Sequence, residues 1–230
     1  MMRYYFLLPI LLAACGKNEA SSPVSTPYYP NLSQSIAETK SEAKLITGDE
    51  GSRVRAIWDH AHADSETWTL TTLFEISAHR KDLEKARDLE EFCPGYSRAS
   101  SYQKDTCWLR LISAMAKFES SFRPKATYLE ATGQTSVGLL MMDPRHCPNA
   151  PTLEKLQIAE PNIQCAIPRL ALLVARYSMI SGPKNSGGAA YWSVLREPYR
   201  FGNLFLGRKP HIQIYTRNYQ ADRKSTRLNS

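Results

Sequence analysis

Apolar residues recur at helical spacing along most of the chain after about residue 55. This periodicity predicts a long helical stretch from about 65 to 91, which begins at the capping pair Asp64-Ser65 and stops at the breaker cluster Cys93-Pro94-Gly95. A second helix is predicted from about Lys104 to Ser121, and Pro124 forces its end. Its broad apolar face contains Trp108, Leu109, Leu111, Ile112, Met115, Ala116 and Phe118.

The C-terminal half carries weaker helical patterns. A third helix is predicted from Ile163 to Ile180, with Pro168 inside it, and a shorter helical piece from Tyr191 to Leu195. No stretch alternates convincingly with a period of two, so no strand is predicted. With 230 residues in the chain, we expect a mostly α fold with a single globular domain over residues 51–221.

The N-terminus has the pattern of an export signal. Residues 1–14 combine Arg3, an apolar run from Tyr4 to Leu12 and small residues at the cleavage site. Leu12-Ala13-Ala14-Cys15 resembles the lipobox of bacterial lipoproteins, which implies that Cys15 is acylated and becomes the mature N-terminus. Gly16, which follows it, favours the outer membrane under the Gram-negative sorting rule. The alternative is an ordinary secretory signal that contains a cysteine.

The lipobox interpretation predicts a protein anchored by lipid to the periplasmic face of the outer membrane. Residues 15–50 are rich in Ser and Pro without sustained periodicity, and they predict a flexible tether between the anchor and the domain. Residues 222–230 resemble the translated read-through of a sequencing adapter, and we interpret them as an artefact. No internal apolar run reaches about 18 residues, so the lipid is the expected membrane attachment.

The charge of the chain is mildly basic. The formal net charge is +7, and it falls to about +4 once Arg3 and the net two positive charges of residues 222–230 are removed. This balance suits an anionic cell wall, whereas no dense Lys/Arg stripe indicates nucleic acid. We expect a monomer without cofactor or metal.

Four cysteines remain after Cys15 is assigned to the lipid: Cys93, Cys107, Cys147 and Cys165. In an oxidising compartment an even number suggests two disulfides, for which three pairings are possible. The pairs Cys93–Cys107 and Cys147–Cys165 close the shortest loops and do not cross. A metal site using Cys147 and His146 is the alternative, although zinc sites usually have tighter spacing.

The stretch from Leu111 to Asp143 carries the candidate chemistry. An apolar helix ends there in Glu119-Ser120. The partial negative charge of a helix C-terminus and apolar neighbours should both raise the pKa of Glu119. A general acid at neutral pH requires such a shift. Without this setting, a single glutamate is more often a solvated surface residue.

This stretch resembles the catalytic core of lytic transglycosylases of the soluble type, in the lysozyme superfamily. The resemblance covers about residues 55–200 and is carried by Glu119, Ser120, Phe122, Pro124, Ala126, Gly138, Leu139 and Leu140, with support from Asn162, the YWSVLRE segment at Tyr191 and FCPGY at Phe92. It implies a lysozyme-like fold and cleavage of peptidoglycan between N-acetylmuramic acid and N-acetylglucosamine, with closure of a 1,6-anhydro ring. Glu119 would be the single acid and base. The substrate-binding residues that it implies are Ser120, Gly138, Leu139, Met141 and Tyr191.

Three positions leave other functions open. Met141 stands where this family has Gln, and a thioether cannot replace the donor and acceptor of an amide. Tyr128 also replaces a small polar residue. A catalytically silent peptidoglycan-binding lipoprotein is therefore one alternative. Glu130, eleven residues after Glu119, could act as the second carboxylate of a lysozyme-like hydrolase, although we expect it to bind a loop amide or face solvent.

Overall fold

The computed structural model of the protein describes residues 55–130, 133–201, 204–217 and 219. The predicted signal peptide, Cys15, the tether and the adapter-like tail lie outside these residues. Within the described part of the chain, no helix is long and apolar enough to cross a membrane.

The described residues form a mostly α fold, as the sequence predicts. The helices are α1 (Ser65–Leu83), α2 (Leu89–Phe92), α3 (Ser101–Ser120), α4 (Leu153–Leu156), α5 (Ala159–Tyr177) and α6 (Lys209–Thr216). Two antiparallel hairpins accompany them: β1 (Thr127–Leu129) with β2 (Thr135–Val137), and β3 (Tyr199–Phe201) with β4 (Leu204–Leu206). Thr127 lies opposite Val137 in the first hairpin, and Tyr199 lies opposite Leu206 in the second.

Helix α3 lies at the centre of the core, with α1 and α6 packed against it, and α1 also packs along α5. The predicted apolar face is buried except for Phe118, which is half-buried. Cys107, Ser113 and Ala114 are buried as well, so the middle of the helix is covered on most sides. Because α3 is covered on most sides, close packing fixes its position in the core, and this also fixes the position of its last turn.

The helix boundaries differ from the prediction where hydrogen bonds override periodicity. Helix α3 begins before Lys104 because Ser100 and Gln103 form a capping box. The long first helix is interrupted after Leu83, because the Asp88 carboxylate accepts hydrogen bonds from the backbone N–H groups of Ile180 and Ser181, each 2.8 Å long. These contacts are remote in sequence and leave no periodic signal.

Two further predictions about secondary structure are wrong. The hairpin strands have only three residues each, which is too short for a period of two to be visible. The helical piece predicted from Tyr191 to Leu195 is replaced by single 3₁₀ turns at Gly188–Ala190 and Ser193–Leu195. By contrast, α5 continues through Pro168 from Ala159 to Tyr177.

Both predicted short-loop disulfides are present. Cys93–Cys107 joins the end of α2 to α3, and Cys147–Cys165 joins the loop before α4 to α5. The sulfur of Cys147 is therefore bonded, and the alternative of a metal site using Cys147 and His146 is wrong. Because each bond closes a loop, each restricts the unfolded chain and stabilises the fold by about 2–4 kcal/mol.

Candidate active site

Glu119 is placed by the abrupt end of α3. Ser121 and Phe122 follow the helix with φ values of 53° and 61°, and the N–H of Ser121 donates to Lys117 O at 3.1 Å. Left-handed backbone at two consecutive non-glycine residues is unfavourable and persists only where packing imposes it, which is common at functional sites. The last turn of α3 is thus fixed immediately beyond the glutamate.

The carboxyl group of Glu119 is poorly hydrated. Burial raises its pKa to about 8, the nearby negative charge of Glu130 adds to the rise, and the positive charge of Arg196 opposes it. The residue as a whole is nevertheless half-buried, so part of it is accessible to solvent. The raised pKa predicted from the sequence is confirmed, with burial as its principal cause. Most Glu119 carboxyl groups therefore hold a proton at neutral pH.

The structure brings Glu130 to the same site. It follows β1 at the turn of the first hairpin, where its N–H donates to Gln134 O at 2.7 Å. Its side chain accepts a hydrogen bond from the hydroxyl of Ser136 at 3.2 Å. This hydroxyl is one partner of the half-buried Glu130 side chain. The carboxylate lies close enough to Glu119 to raise the pKa of that residue.

Arg196 supplies the positive charge at this site. Its Nε donates to Ala189 O at 3.0 Å, so the side chain is held against the first 3₁₀ turn. Its charge lowers the pKa of Glu119 and so limits the rise that burial and Glu130 produce. Nothing in the local sequence pattern around Arg196 indicates which carboxylate it faces.

A tight turn runs from Val137 to Met142 and is bonded to Tyr191, whose hydroxyl also feels the charge of Glu119. Val137 and Met142 exchange backbone hydrogen bonds of 3.0 and 2.8 Å. Gly138 has a φ of 87°, and a Cβ added there would lie 2.1 Å from Asn162 Nδ2 and 2.3 Å from Leu156 O. Glycine is required at this position both by the left-handed backbone and by the close approach of α5.

Asn162 fixes this turn from the first turn of α5. Its side chain is fully buried and makes three hydrogen bonds. Oδ1 accepts from the N–H of Leu140 at 2.8 Å, while Nδ2 donates to Val137 O and Leu156 O at 2.9 Å each. Sequence comparison identified Asn162 only as a motif position, and its clamping role follows from these contacts.

Tyr191 and Trp192 hold the other side of the turn. The indole Nε1 of Trp192 donates to Leu140 O at 2.8 Å, and the ring is buried as predicted. The hydroxyl of Tyr191 accepts from the N–H of Asp143 at 2.8 Å and donates to Met141 O at 3.4 Å. Because this hydroxyl is already engaged, the half-buried ring is what Tyr191 can offer to a ligand.

The remaining predicted substrate-binding residues differ in access. The Ser120 hydroxyl is buried and donates to Ala116 O at 3.1 Å within its own helix, and the Leu139 side chain is fully buried in the core. Both side chains are directed into the protein, and the substrate-binding roles of Ser120 and Leu139 stay predictions. Met141 is half-buried with a φ of 48°, whereas Met142 is buried.

Comparison with known proteins gives a structural neighbour but no family. No family model and no curated protein matches the chain. Solved structures of DslA (Bd0314), a Bdellovibrio protein, resemble it in fold. The wild-type DslA structure is 26% identical with a TM-score of 0.62, over 72% of this chain and 96% of DslA. Two others are glutamate-to-glutamine variants with TM-scores of 0.62 and 0.63, and their substituted positions lie eleven residues apart.

We expect Asn162→Leu to destabilise the fold strongly. The substitution keeps the approximate size of the side chain but leaves the N–H of Leu140 and the carbonyl of Leu156 without these partners, each of which costs about 1–3 kcal/mol when buried. It also removes one of the two hydrogen bonds that Val137 O accepts, while the one from the N–H of Met142 remains. The free energy of unfolding from urea titration should fall by at least about 3 kcal/mol. Asn185→Leu, at an exposed loop position, is the control and should change little. A loss for Asn162→Leu as small as the control's would show that the clamp is not needed.

Stability should fall as the pH rises from about 5 to 8. Glu119 keeps its proton over this window in the folded state, where its pKa is about 8, but loses it near its ordinary value of 4.5 in the unfolded chain. The folded state thus binds more protons, and each such group lowers the free energy of unfolding by roughly 1 kcal/mol per pH unit. Burial also raises the pKa of Glu75, to about 7, so Glu75 contributes to the same fall in stability below that pH.

The two glutamates can be separated by variants. Glu119→Gln should flatten the stability curve between pH 7 and 8, because the group that titrates there has been removed. Glu75→Gln is the matched control and should flatten the curve mainly below pH 7. Chemical denaturation across this pH range measures both slopes, and an unchanged slope above pH 7 in Glu119→Gln would contradict the assignment.

Proposed function

We propose that this protein cleaves the glycosidic bonds of peptidoglycan, with Glu119 as the general acid. The observation that carries the proposal is a half-buried glutamate at the end of α3 whose pKa is raised by burial to about 8. Such a group can donate its proton to the oxygen of a leaving sugar at neutral pH. The resemblance to lytic transglycosylases and the similarity in fold to DslA support the choice of glycosidic chemistry.

The first form of this reaction is lytic transglycosylation between N-acetylmuramic acid and N-acetylglucosamine. Glu119 protonates the departing glycosidic oxygen while the carbonyl oxygen of the substrate's own N-acetyl group bonds to C1 and forms an oxazolinium intermediate. The Glu119 carboxylate then takes the proton of the sugar's 6-hydroxyl, whose oxygen bonds to C1 as the oxazolinium opens. The product is a 1,6-anhydro ring, no water is consumed, and Glu119 ends protonated as it began.

The charged neighbours suit a group that alternates between acid and base. After Glu119 has given up its proton, the cation of Arg196 stabilises the carboxylate, whereas the negative charge of Glu130 favours taking a proton back. A pKa close to the working pH is the most effective value for a residue with both roles. Side-chain hydrogen bonds from Asn162 and Trp192 hold the turn between Val137 and Met142 rigid.

Hydrolysis is a second candidate that one observation favours. Glu130 is near enough to Glu119 to affect its pKa, and glycosidases that use water work with a pair of carboxyl groups. The eleven-residue separation of the two glutamates also equals the separation of the substituted glutamates in the DslA variants. In this form Glu130 would act as the nucleophile or activate a water molecule.

We also propose that the protein works outside the cytoplasm, at the periplasmic face of the outer membrane. Its two disulfides form in oxidising compartments and support export. The anchor at Cys15 rests on the lipobox pattern. Both features support a location beside the polymer that the protein would cut.

Mass spectrometry of products released from purified sacculi tests the proposal. Wild-type protein should release 1,6-anhydro muropeptides, and Glu119→Gln should lower the rate by at least about 10²-fold, because the proton donor is lost while the shape is kept. Glu66→Gln, at an exposed position of α1, is the control and should retain the wild-type rate. Near-wild-type turnover by Glu119→Gln would refute the assignment of the acid.

The products and Glu130→Gln distinguish the candidate reactions. Transglycosylation predicts products with anhydro ends, and the Glu130→Gln variant should keep a rate within about tenfold of wild type. The basic limb of its pH–rate profile should move to lower pH, because the pKa of Glu119 falls when the negative charge of Glu130 is removed. Hydrolysis predicts reducing ends and a loss of at least about 10²-fold in the same variant. Binding to sacculi without any released product would indicate a silent binding protein and would overturn the proposed activity.

A further inference from the structure

Arg169 on α5 is a half-buried cation that forms no hydrogen bond or ion pair with the described residues. Its Nε is buried and makes no hydrogen bond to any described residue, and the guanidinium is in no ion pair with them. Buried polar groups are nearly always satisfied, and a buried charge without a counterion is unfavourable. This residue therefore needs an explanation that the folded chain alone does not supply.

The surroundings of Arg169 hold it beside aromatic rings. Its guanidinium carbon lies 5.7 Å from the centre of the Tyr191 ring, and the His146 ring packs edge-on against the same tyrosine at 5.4 Å between ring centres. Cation–π contact orients an arginine but leaves its N–H groups free to donate. The side chain is thus positioned and still able to bind.

Asp143, whose charge acts on Tyr191 and His146 together with that of Arg169, is already paired with another arginine. Asp143 is buried and binds Arg145, whose Nε lies 2.9 and 3.1 Å from the two carboxylate oxygens. His146 cannot supply a negative charge. Burial and the charge of Arg169 both lower its pKa, which favours the neutral imidazole. One positive charge therefore remains uncompensated at this place.

Tyr191 connects Arg169 to the candidate active site. Its hydroxyl is bonded to the backbone of Met141 and Asp143, at the end of the turn that starts at Val137. The charges of Arg169 and Glu119 both act on this hydroxyl. Arg169 and Glu119 therefore lie within electrostatic reach of the same tyrosine hydroxyl.

We propose that Arg169, together with the rings of Tyr191 and His146, forms a subsite that binds a carboxylate of the peptidoglycan strand. This inference rests on the proposed function. A guanidinium matches a carboxylate through parallel N–H donors. The terminal Nη groups of Arg169 are the donors open to a ligand, because its Nε is enclosed by the protein. The carboxylate comes either from the lactyl group of a bare muramic acid or from the attached peptide. Glycans made only of N-acetylglucosamine lack both, so the subsite distinguishes muramic-acid-containing strands from them.

Binding of three tetrasaccharides by calorimetry tests the subsite. The ligands are chitotetraose, the alternating N-acetylglucosamine–N-acetylmuramic acid tetrasaccharide without peptide, and the same tetrasaccharide with peptide stems. Each is titrated into the mature protein carrying Glu119→Gln, which prevents turnover. Arg169→Gln should weaken binding of one or both carboxylate ligands by about 10- to 100-fold, as expected for a charge-assisted bond, and chitotetraose by less than about twofold.

Two further variants make the result specific. Arg176→Gln removes another arginine of α5 that lies over a tyrosine, 5.4 Å from the Tyr177 ring centre, but at an exposed position. It should leave all three affinities unchanged. Arg169→Lys keeps the positive charge but loses the parallel N–H donors of the guanidinium. Its affinity for the carboxylate ligands should lie between those of Arg169→Gln and the parent. The melting temperature of Arg169→Gln should stay close to that of the parent, because no hydrogen bond or ion pair is lost.

The outcomes separate this inference from the proposed function. Selective loss of the bare muramic ligand identifies the lactyl carboxylate, and selective loss of the peptide-bearing ligand identifies the stem. Equal weakening of all three ligands, or no weakening, would overturn the subsite while cleavage of sacculi by the wild type still supported the proposed function. Absence of both glycan binding and cleavage in the wild type would overturn the proposed function and the subsite with it.

Discussion

The burial of one carboxyl group at the end of α3 governs the rest of this site. Glu119 lies in the last turn of a helix whose middle is covered by the core, so it cannot withdraw into water without moving that helix. Its pKa is raised because the charged form is poorly solvated. The strained residues Ser121 and Phe122 follow directly and turn the chain toward the hairpin that carries Glu130. Helix packing, backbone strain and acidity thus depend on the same few residues.

The turn between Val137 and Met142 is held by side chains from distant parts of the sequence. Asn162, Tyr191 and Trp192 together bind backbone groups of the turn between Val137 and Asp143. The disulfide Cys147–Cys165 joins the loop that follows this turn to α5, the helix that carries Asn162. Sites that must hold a sugar in one orientation require such rigidity, because small displacements reduce catalysis strongly. The same helix also carries Arg169, so sugar orientation and carboxylate binding would share one support.

Sequence reasoning reached the features that have a local signal. Periodicity located the long helices and the apolar face of α3, and the cysteine spacing favoured the disulfides that form. It missed features that depend on contacts remote in sequence. Asp88 interrupts the first helix by binding Ile180 and Ser181, and Ser120 turns its hydroxyl into its own helix. For the same reason, the sequence could not show that Arg196 acts on Glu119 or that Arg169 lacks a partner.

The most direct test is a titration of the Glu119 carboxyl group by NMR, using protein labelled with ¹³C at the glutamate side-chain carboxyl carbons. The Glu119 signal is the one missing from Glu119→Gln, and Glu75→Gln identifies the other strongly shifted glutamate. We predict that the Glu119 carboxyl titrates with a pKa of about 8, and that of Glu75 near 7. A Glu119 carboxyl that titrates near its ordinary value of 4.5 would be ionised at neutral pH and would contradict its role as the acid.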